Sequence, residues 1–159
     1  LNLLAKHGLL DLQIKASGDT EVDIHHTNED IGICLGLALK EAAGNKEGIR
    51  RFGFASVPLD EALVEVSLDL SARPYLQYKV GSVKCKTLEK EYNLNYLRQF
   101  LQAFVNNAGI TLHVEIISGE DGHHIIEAVF KALGRALKDA VSIDPRIKGI
   151  LSTKGKLYR

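Results

Sequence analysis

The sequence predicts an α+β fold made of two similar halves, each with a pair of helices on one side of an antiparallel or mixed sheet. A segment beginning with two histidines occurs twice, and residues 25–42 and 123–140 agree at nine of eighteen positions without a gap. The order helix, glycine, strand, histidine pair, helix also occurs twice, in residues 1–42 and 94–140. Between these copies, apolar and polar residues alternate as they do in half-buried strands.

The first copy opens with what resembles the end of a helix. Residues 1–8 are mostly apolar and finish at Gly8, a usual residue at helix C-termini. Because the chain does not begin with Met, we expect a further segment before Leu1. The run Leu9–Ala16 has apolar residues at alternate positions, which predicts a strand, and Glu21–Ile24 predicts a second, shorter extended piece.

The first histidine pair leads into a helix that starts at about Thr27 and ends near Gly44. Apolar residues recur there at helical spacing, so we expect them to form an inner face in the core. The residues of this stripe are Ile31, Cys34, Leu35, Ala38 and Leu39.

The middle of the chain predicts a basic connection and three strands. Residues 46–51 include the pair Arg50-Arg51, for which a solvated loop is the simpler interpretation. Phe52–Val57 and Ala62–Leu70 predict a hairpin, and Tyr75–Val80 predicts a further strand. Gly81–Glu91 is polar and charged, and we expect it to be the least ordered stretch. One face of the hairpin's second strand should be buried, through Leu63, Val64, Val66, Leu68 and Leu70.

The second copy follows the same plan. A helix with an apolar stripe from Leu94 to Val105 stops at Gly109, and Ile110–Ile117 predicts a strand before the second histidine pair and its helix. We place the first half at about residues 1–72 and the second at about 73–159, within one domain of 1–159.

Each histidine pair is followed by a glutamate in the geometry of a metal motif. Residues three or four apart share a helix face, whereas adjacent residues point about 100° apart, so two adjacent imidazoles do not easily bind one ion. Each pair should therefore divide its histidines between two neighbouring sites. Imidazole with carboxylate suits Mn, Fe, Zn or Ni and is too rich in nitrogen for Ca or Mg. The motif residues are His25, His26, Glu29, His123, His124 and Glu127.

The alternative is that each pair is a polar helix start, with its glutamate favoured there by the helix dipole. Two matched copies favour the metal motif over this interpretation. His113, on the predicted strand before the second pair, is interpreted as a further ligand. A surface histidine without that role is the alternative.

Composition excludes several function classes. Twenty basic residues balance twenty acidic ones, so bulk charge does not indicate a nucleic-acid or membrane surface, and any anion site must be local. No apolar run is long enough to span a membrane, and we expect no signal peptide. Cys34 and Cys85 do not form a disulfide pattern and suggest a reducing compartment, the cytoplasm.

Several motifs, in family order along nearly the whole chain, resemble those of the imidazoleglycerol-phosphate dehydratases, the lyases of histidine biosynthesis. They are Asp23-x-His25-His26-Thr27-x-Glu29-Asp30-x-Gly32, Arg51-Phe52-Gly53, Pro58-Leu59-Asp60-Glu61-Ala62, Arg73-Pro74-Tyr75, Asn107-Ala108-Gly109-x-Thr111-Leu112-His113, Gly119-x-x-x-His123-His124-x-x-Glu127-Ala128-x-Phe130-Lys131-Ala132 and Ser152-Thr153-Lys154-Gly155.

The resemblance implies a tandem duplication of a ribosomal protein S5 domain 2-like fold, assembled as trimers into a 24-subunit homo-oligomer. It implies two Mn²⁺ per active site, each with three histidines and one carboxylate, of which this chain supplies seven ligands: the six motif residues and His113. In the family the eighth ligand is a histidine just before the position of Leu1, and a catalytic glutamate lies further upstream, so no catalytic residue is assigned here.

By the same resemblance, a phosphate clamp consists of Arg51, Arg73, Lys131, Ser152 and Lys154. The substrate is then a small phosphorylated imidazole, with no nucleic-acid or membrane partner. For Lys131, one turn after Glu127, an ordinary helix ion pair is the alternative. A di-metal phosphate-ester hydrolase and a non-catalytic metal-binding assembly protein are the competing functions, and storage alone would need no phosphate clamp.

Three positions depart from the family pattern. Ala72 stands where the family usually has Gly, Asp121 where it usually has Asn, and Ile24 where Asp is common. None of them removes a ligand. We expect Asp121, as an added negative charge close to the metals, to alter metal affinity or the fit of the substrate.

Overall fold

The computed structural model describes residues 1–18, 20–83 and 92–157. Gly81–Glu91 is expected to be the least ordered stretch. Residues 81–83 of it continue a strand, and residues 84–91, with Cys85, lie outside the described residues. The elements in chain order are α1 (Asn2–Gly8), α2 (His25–Ala42), β1 (Phe52–Leu59), β2 (Ala62–Asp69), β3 (Tyr75–Val83), α3 (Leu94–Ala108), β4 (Thr111–Gly119) and α4 (Gly122–Val141).

The four strands form one mixed sheet in the order β1-β2-β4-β3. β1 with β2 and β2 with β4 are antiparallel, and β3 with β4 is parallel. Helices cover one face, with α4 lying on β1 and β2, while the other face remains open. The predicted α+β class with helices on one side of a mixed sheet is confirmed.

Alternation of side chains along the strands produces the core. Val64 and Val66 of β2 and Leu112 and Ile116 of β4 are almost completely buried, against helical residues such as Leu133. Burying each such side chain contributes about 1.5–3 kcal/mol. Leu63, predicted on the same face, is only half-buried, because it is adjacent to Val64 and successive side chains of a strand point to opposite faces of the sheet.

The duplication is visible in two matched helix crossings. Gly36 of α2 packs against the backbone of α3, where an added Cβ would lie 2.5 Å from the Phe104 carbonyl oxygen and 2.9 Å from the Ala108 nitrogen. Gly134, its counterpart in α4, packs against α1 in the same way. A Cβ added there would lie 2.6 Å from the Leu4 carbonyl oxygen and 2.9 Å from the Gly8 nitrogen. Glycine at this repeat position lets each pair of backbones approach closely.

The most buried face of helix α2 is not the predicted one. Asn28, Gly32 and Gly36 are the buried residues, on the side that contacts α3. The apolar stripe instead lines a groove of about 500 Å³ together with residues 12–18, and Cys34 is exposed. In α4 the corresponding stripe is fully buried because β1 and β2 cover it. The helix is confirmed, and its predicted inner face is confirmed only in part: Ile31, Leu35 and Leu39 are partly buried against the core, whereas Cys34 and Ala38 are exposed.

Two further predictions about the N-terminal region are wrong. Leu9–Ala16 is not a strand: none of the strands in the described part of the chain pairs with it, and alternation alone does not make a strand without backbone partners. Glu21–Ile24 forms a turn rather than an extended piece. The predicted helix that finishes at Gly8 is confirmed as α1, and the left-handed residue that follows it is Leu9, with φ of 51°.

The basic connection before β1 is more ordered than a solvated loop. Ile49 is buried and bridges to Ile143, and Lys46 Nζ donates to the Leu70 carbonyl oxygen at 3.1 Å. Arg50 is half-exposed, but Arg51 is largely buried. The boundary between halves near residue 72 stays a prediction, and the sheet joins strands from both sides of it.

Candidate metal and phosphate sites

The first histidine pair lies at the start of α2 and is held by α3. His25 Nδ1 lies 2.7 Å from Gln99 Oε1, and His25 Nε2 lies 3.5 Å from Glu29 Oε2, one turn along the helix. The Asp23 side chain accepts the His25 backbone N–H at 2.9 Å. This aspartate satisfies one of the amides that a helix leaves unpaired at its N-terminus.

The second pair has the same arrangement at the start of α4. His123 Nε2 lies 3.4 Å from Glu127 Oε2, and Asp121 accepts the His123 backbone N–H at 2.7 Å. His124 Nδ1 lies 2.9 Å from Glu61 Oε2, in the turn between β1 and β2. Both copies of the motif therefore share an aspartate cap and a histidine nitrogen close to a glutamate oxygen.

Each motif has the donor geometry of half a metal site. Two ligands of one ion lie roughly 3.0–3.4 Å apart when the bonds are about 2.1 Å, and the two histidine-to-glutamate separations are close to that range. Among the described residues, however, no group of three or more histidine, cysteine, aspartate or glutamate side chains is placed to hold an ion. The residues fit a metal as two-donor halves, and a complete coordination shell needs donors from elsewhere.

Hydrogen bonds keep the nearby carboxylates ionised. The bond with His124, followed by the Asp121 backbone amide, lowers the pKa of Glu61 to about 2. The Lys131 ammonium, 2.7 Å from Glu127 Oε1, lowers the pKa of Glu127. Glu61 in turn raises the pKa of His124. At neutral pH both glutamates carry the charge that suits a metal ligand or its partner.

The two pairs lie at the same end of the helical layer. α2 runs parallel to α3, since Asn28 bonds to Tyr96 while Gly36 packs on Phe104. A cleft of about 360 Å³ between the helices is lined from α2 by Asn28 and from α4 by His123.

His113 lies elsewhere, on the open face of the sheet. It is in β4 between Ser67 of β2 and Gln77 of β3, and its ring centroid is 5.8 Å from that of Tyr75. The structure does not bring it to either histidine pair within the described residues. Its role as a ligand stays a prediction.

Four of the five predicted phosphate residues meet in one pocket of about 660 Å³ at the opposite end of the sheet. Six cationic side chains and three hydroxyls line it, so positive charge is concentrated locally in a chain of zero net charge. The predicted residues there are Arg51, Arg73, Ser152 and Lys154, and the others include Ser71, Arg146, Lys148, Thr153 and Lys156.

Two arginines of this pocket differ in their partners. Arg51 forms a two-point ion pair with Asp69, at 2.6 and 2.9 Å, and donates to the Leu151 carbonyl oxygen at 2.7 Å, which ties the C-terminal segment to β2. The Arg73 guanidinium makes no such bond within residues 1–18, 20–83 and 92–157, so it is available to an anion. Arg51 therefore holds the wall of the pocket in place, whereas the Arg73 guanidinium, which has no partner among the described residues, can donate to a bound anion.

Lys131 is not in this pocket. It lies on α4 and forms an ion pair with Glu127, one turn away. This ion pair is the alternative to a phosphate-binding role that the sequence left open. The far end of α4 reaches the pocket, where the Ala140 carbonyl oxygen accepts the Arg51 backbone N–H at 2.9 Å. From His124 to Ala140 the helix axis extends about 24 Å. Within one chain the histidine end and the cationic pocket are therefore far apart.

Comparison with known proteins identifies the family. The model of the imidazoleglycerol-phosphate dehydratase family matches residues 1–137. The chain belongs to the imidazoleglycerol-phosphate dehydratase family. It is 54% identical to the dehydratase of Geobacter metallireducens and 56% identical to that of Acetivibrio thermocellus, in each case over 99% of this chain and 80% of the relative.

Solved dehydratase structures show the same fold. The Staphylococcus aureus enzyme aligns with a TM-score of 0.80 at 38% identity, over 90% of this chain and 80% of that one. The Pyrococcus furiosus enzyme, in complex with (S)-C348, aligns with a TM-score of 0.77 at 36% identity, over 98% and 82%. None of the described helices is long and apolar enough to cross a bilayer.

The structure explains two departures from the dehydratase pattern. Ala72 has a φ of 61°, in the left-handed region, where the family's usual glycine is free of strain and alanine costs about 1 kcal/mol. Asp121 caps α4, a role that an asparagine side chain can also perform. Ile24 stands at the N-cap of α2 and makes no side-chain bond there, and Asp23 accepts an amide of that helix instead.

Sequence reasoning missed several residues of these sites. In the sequence, Glu61 stands out only as part of a motif. Nothing in the sequence connects Gln99 with His25, because these residues are 74 positions apart and lie on different helices. Arg146, Lys148 and Lys156 line the cationic pocket without a motif of their own. Their only signal is a run of basic residues near the predicted phosphate-binding tail.

Proposed function

We propose that this chain dehydrates imidazole glycerol phosphate to imidazole acetol phosphate in histidine biosynthesis, in the cytoplasm, using Mn²⁺ at sites formed between copies of a homo-oligomer. Family membership supports the reaction of a hydro-lyase. The observation that supports a site shared between copies is the distance along α4 between the metal half-sites and the cationic pocket.

Two Mn²⁺ per active site would be held by the two histidine pairs, their glutamates and His113, with a further ligand from outside these residues. Nitrogen and oxygen donors suit Mn²⁺. When bound, the metal supplies Lewis acidity toward the substrate's ring and oxygen and orients both. The chain's own contribution is to hold the histidines and ionised glutamates in place, through contacts such as those of Gln99 with His25 and Glu61 with His124.

The cationic pocket would bind the substrate phosphate. Arg73 offers an uncommitted guanidinium, and Ser152 and Lys154 line the same space as Arg51. A charge-assisted hydrogen bond of this kind contributes about 1.5–3 kcal/mol. Lys131, at the histidine end, would reach the same phosphate from a second copy.

A single chain cannot supply both parts of the site to one substrate molecule. With bonds of about 1.5 Å, a substrate of this size spans roughly 8–10 Å, much less than the helix between the two ends. We therefore place the histidine end of one copy against the cationic pocket and His113 of another. The trimers and 24-subunit shell that the family resemblance implies would provide this arrangement.

The reaction is tested by adding imidazole glycerol phosphate to metal-stripped protein, with and without Mn²⁺. We expect Mn²⁺ to restore formation of the keto product while no inorganic phosphate is released. Mg²⁺, which prefers oxygen ligands, is the matched control and should restore little activity. Release of phosphate without the ketone would support the hydrolase, and two bound Mn²⁺ per chain without any turnover would support the assembly protein.

The shared site is tested by mixing two impaired variants: His124→Ala, which loses metal, and Arg73→Ala, assayed at substrate concentrations far below KM, where its turnover is low. EDTA should reduce the assembly toward trimers, and reloading with Mn²⁺ should form mixed particles in which up to about one quarter of the sites combine an intact half from each parent. Activity should reappear accordingly, with particle size followed by light scattering. Mixing His124→Ala with Glu127→Ala, which damage the same half, should restore nothing. Equal failure of both mixtures, in particles shown to be mixed, would contradict a site between copies that belong to different trimers.

A further inference from the structure

Glu61 connects the sheet to the second histidine pair through both of its carboxylate oxygens. Oε1 accepts the backbone N–H groups of Asp121 at 2.9 Å and Glu120 at 3.2 Å, and Oε2 lies 2.9 Å from His124 Nδ1. The residue itself is in the two-residue turn between β1 and β2. The turn is thereby held against the start of α4.

This contact determines which nitrogen of His124 can bind a metal. An ionised carboxylate only accepts hydrogen bonds, so the proton of the contact belongs to Nδ1. Nε2, on the opposite side of the ring, then keeps its lone pair when the imidazole is neutral. The carboxylate closest to Nε2, Asp60 Oδ2, is 3.9 Å away, beyond hydrogen-bonding distance.

We propose that Glu61 is a positioning residue of the metal centre, which holds His124 in the Nδ1–H form and directs Nε2 to the ion. The inference rests on the proposed function, in which His124 is a Mn²⁺ ligand. A carboxylate behind a histidine ligand fixes the orientation of its ring and raises its basicity. Gln99 Oε1 contacts Nδ1 of His25 in the corresponding way, but it belongs to a neutral amide and not to a charged carboxylate.

A purely structural role is the alternative, because Glu61 also binds two backbone amides. The two roles differ in one respect: a positioning residue acts through the His124 imidazole, whereas a clamp on the turn acts whether or not that imidazole is present. A double-mutant cycle with His124 separates them, since it isolates the interaction between the two side chains.

The experiment measures the Mn²⁺ affinity of the assembled protein from the electron paramagnetic resonance signal of free Mn²⁺. Glu61→Gln is nearly isosteric, but its amide offers one oxygen where the carboxylate offers two, and it carries no charge. We expect it to weaken Mn²⁺ binding about 10–100-fold. Ser118→Ala is the matched control, because its hydroxyl bonds to the Glu61 carbonyl oxygen in the same turn without reaching His124. It should leave Mn²⁺ affinity unchanged.

Glu61→Gln is then introduced into the His124→Ala protein, where it should change the remaining Mn²⁺ affinity less than about twofold. A similar loss in both backgrounds, or a similar loss with Ser118→Ala, would assign Glu61 a structural role only. If His124→Ala weakens Mn²⁺ binding but Glu61→Gln does not, the positioning role is wrong and the metal site stands. If wild-type protein binds no Mn²⁺, the proposed metal centre is wrong, and the positioning role of Glu61 is wrong as well.

Discussion

Replacing His124 or Glu127 with Ala is expected to weaken Mn²⁺ binding until the purified protein is depleted of metal, and to abolish turnover. Each change deletes one of the three donors that the second motif offers, and a lost metal ligand cannot be replaced by additional substrate. Because metal Lewis acidity contributes several kcal/mol, kcat should fall by at least about two orders of magnitude. Elemental analysis should show metal content falling from about two ions per chain together with activity.

Arg73→Ala is the matched control for this prediction. It removes a charged side chain from the cationic pocket and leaves the histidine end unchanged. Metal content should remain near that of the wild type, while KM rises roughly ten- to a hundred-fold if binding is uniform. A phosphate-free imidazole or triazole analogue should bind the variant normally. Loss of metal from Arg73→Ala, or equal weakening of both kinds of ligand, would contradict the assignment of this pocket to phosphate.

Gly53→Ala is expected to be severely destabilising. Gly53 lies on the covered face of β1, directly below α4, and an added Cβ would lie 1.9 Å from the Ala136 carbonyl oxygen and 2.7 Å from its carbon. Both are backbone atoms of a helix that cannot rotate away, so strand and helix must separate. Overpacking of this kind costs about 3 kcal/mol or more, which corresponds to a fall in Tm of roughly 6–12 °C for a chain of this size.

Ser56→Ala, on the same strand, is the control for that change. Its side chain is on the open face of the sheet and makes no contact with α4. Thermal unfolding of metal-loaded protein should show a large fall in Tm for Gly53→Ala and almost none for Ser56→Ala. An unchanged Tm for Gly53→Ala would mean that β1 and α4 are not packed as closely as described.

The elements that the sequence predicted best are those with strong periodicity and a well-defined end. The apolar stripe of α3 predicted a buried helix that stops at Gly109, and the structure places Gly109 at the helix C-terminus with φ of 64°. β1, β2 and β4 were predicted from alternation alone. Leu9–Ala16 shows the limit of that signal: the same alternation did not form a strand, because pairing depends on a neighbour that local sequence does not reveal.

The predicted burial of the α2 stripe is confirmed only in part, for a related reason. The aligned segments of α2 and α4 share nine residues, but the apolar side chains of α2 are less strongly segregated to one face than those of α4. Only α4 lies on strands, so its stripe is in the core, whereas α2 buries Asn28, Gly32 and Gly36 against α3. Burial depends on what packs against a helix, and the pattern of one helix does not specify its partner.

By itself, the sequence determined which chemistry the chain carries. The repeated motif specifies nitrogen and oxygen donors at a helix start, because three- and four-residue spacing follows from helix geometry wherever that helix lies. Tertiary structure alone decided how those groups combine: Glu61 behind His124, Gln99 behind His25, and four of the predicted phosphate residues in one pocket while Lys131 lies apart. The two histidine contacts join residues 63 and 74 positions apart. They follow from the crossing of helices and the order of strands, which are properties of the whole chain's packing and not of any one segment.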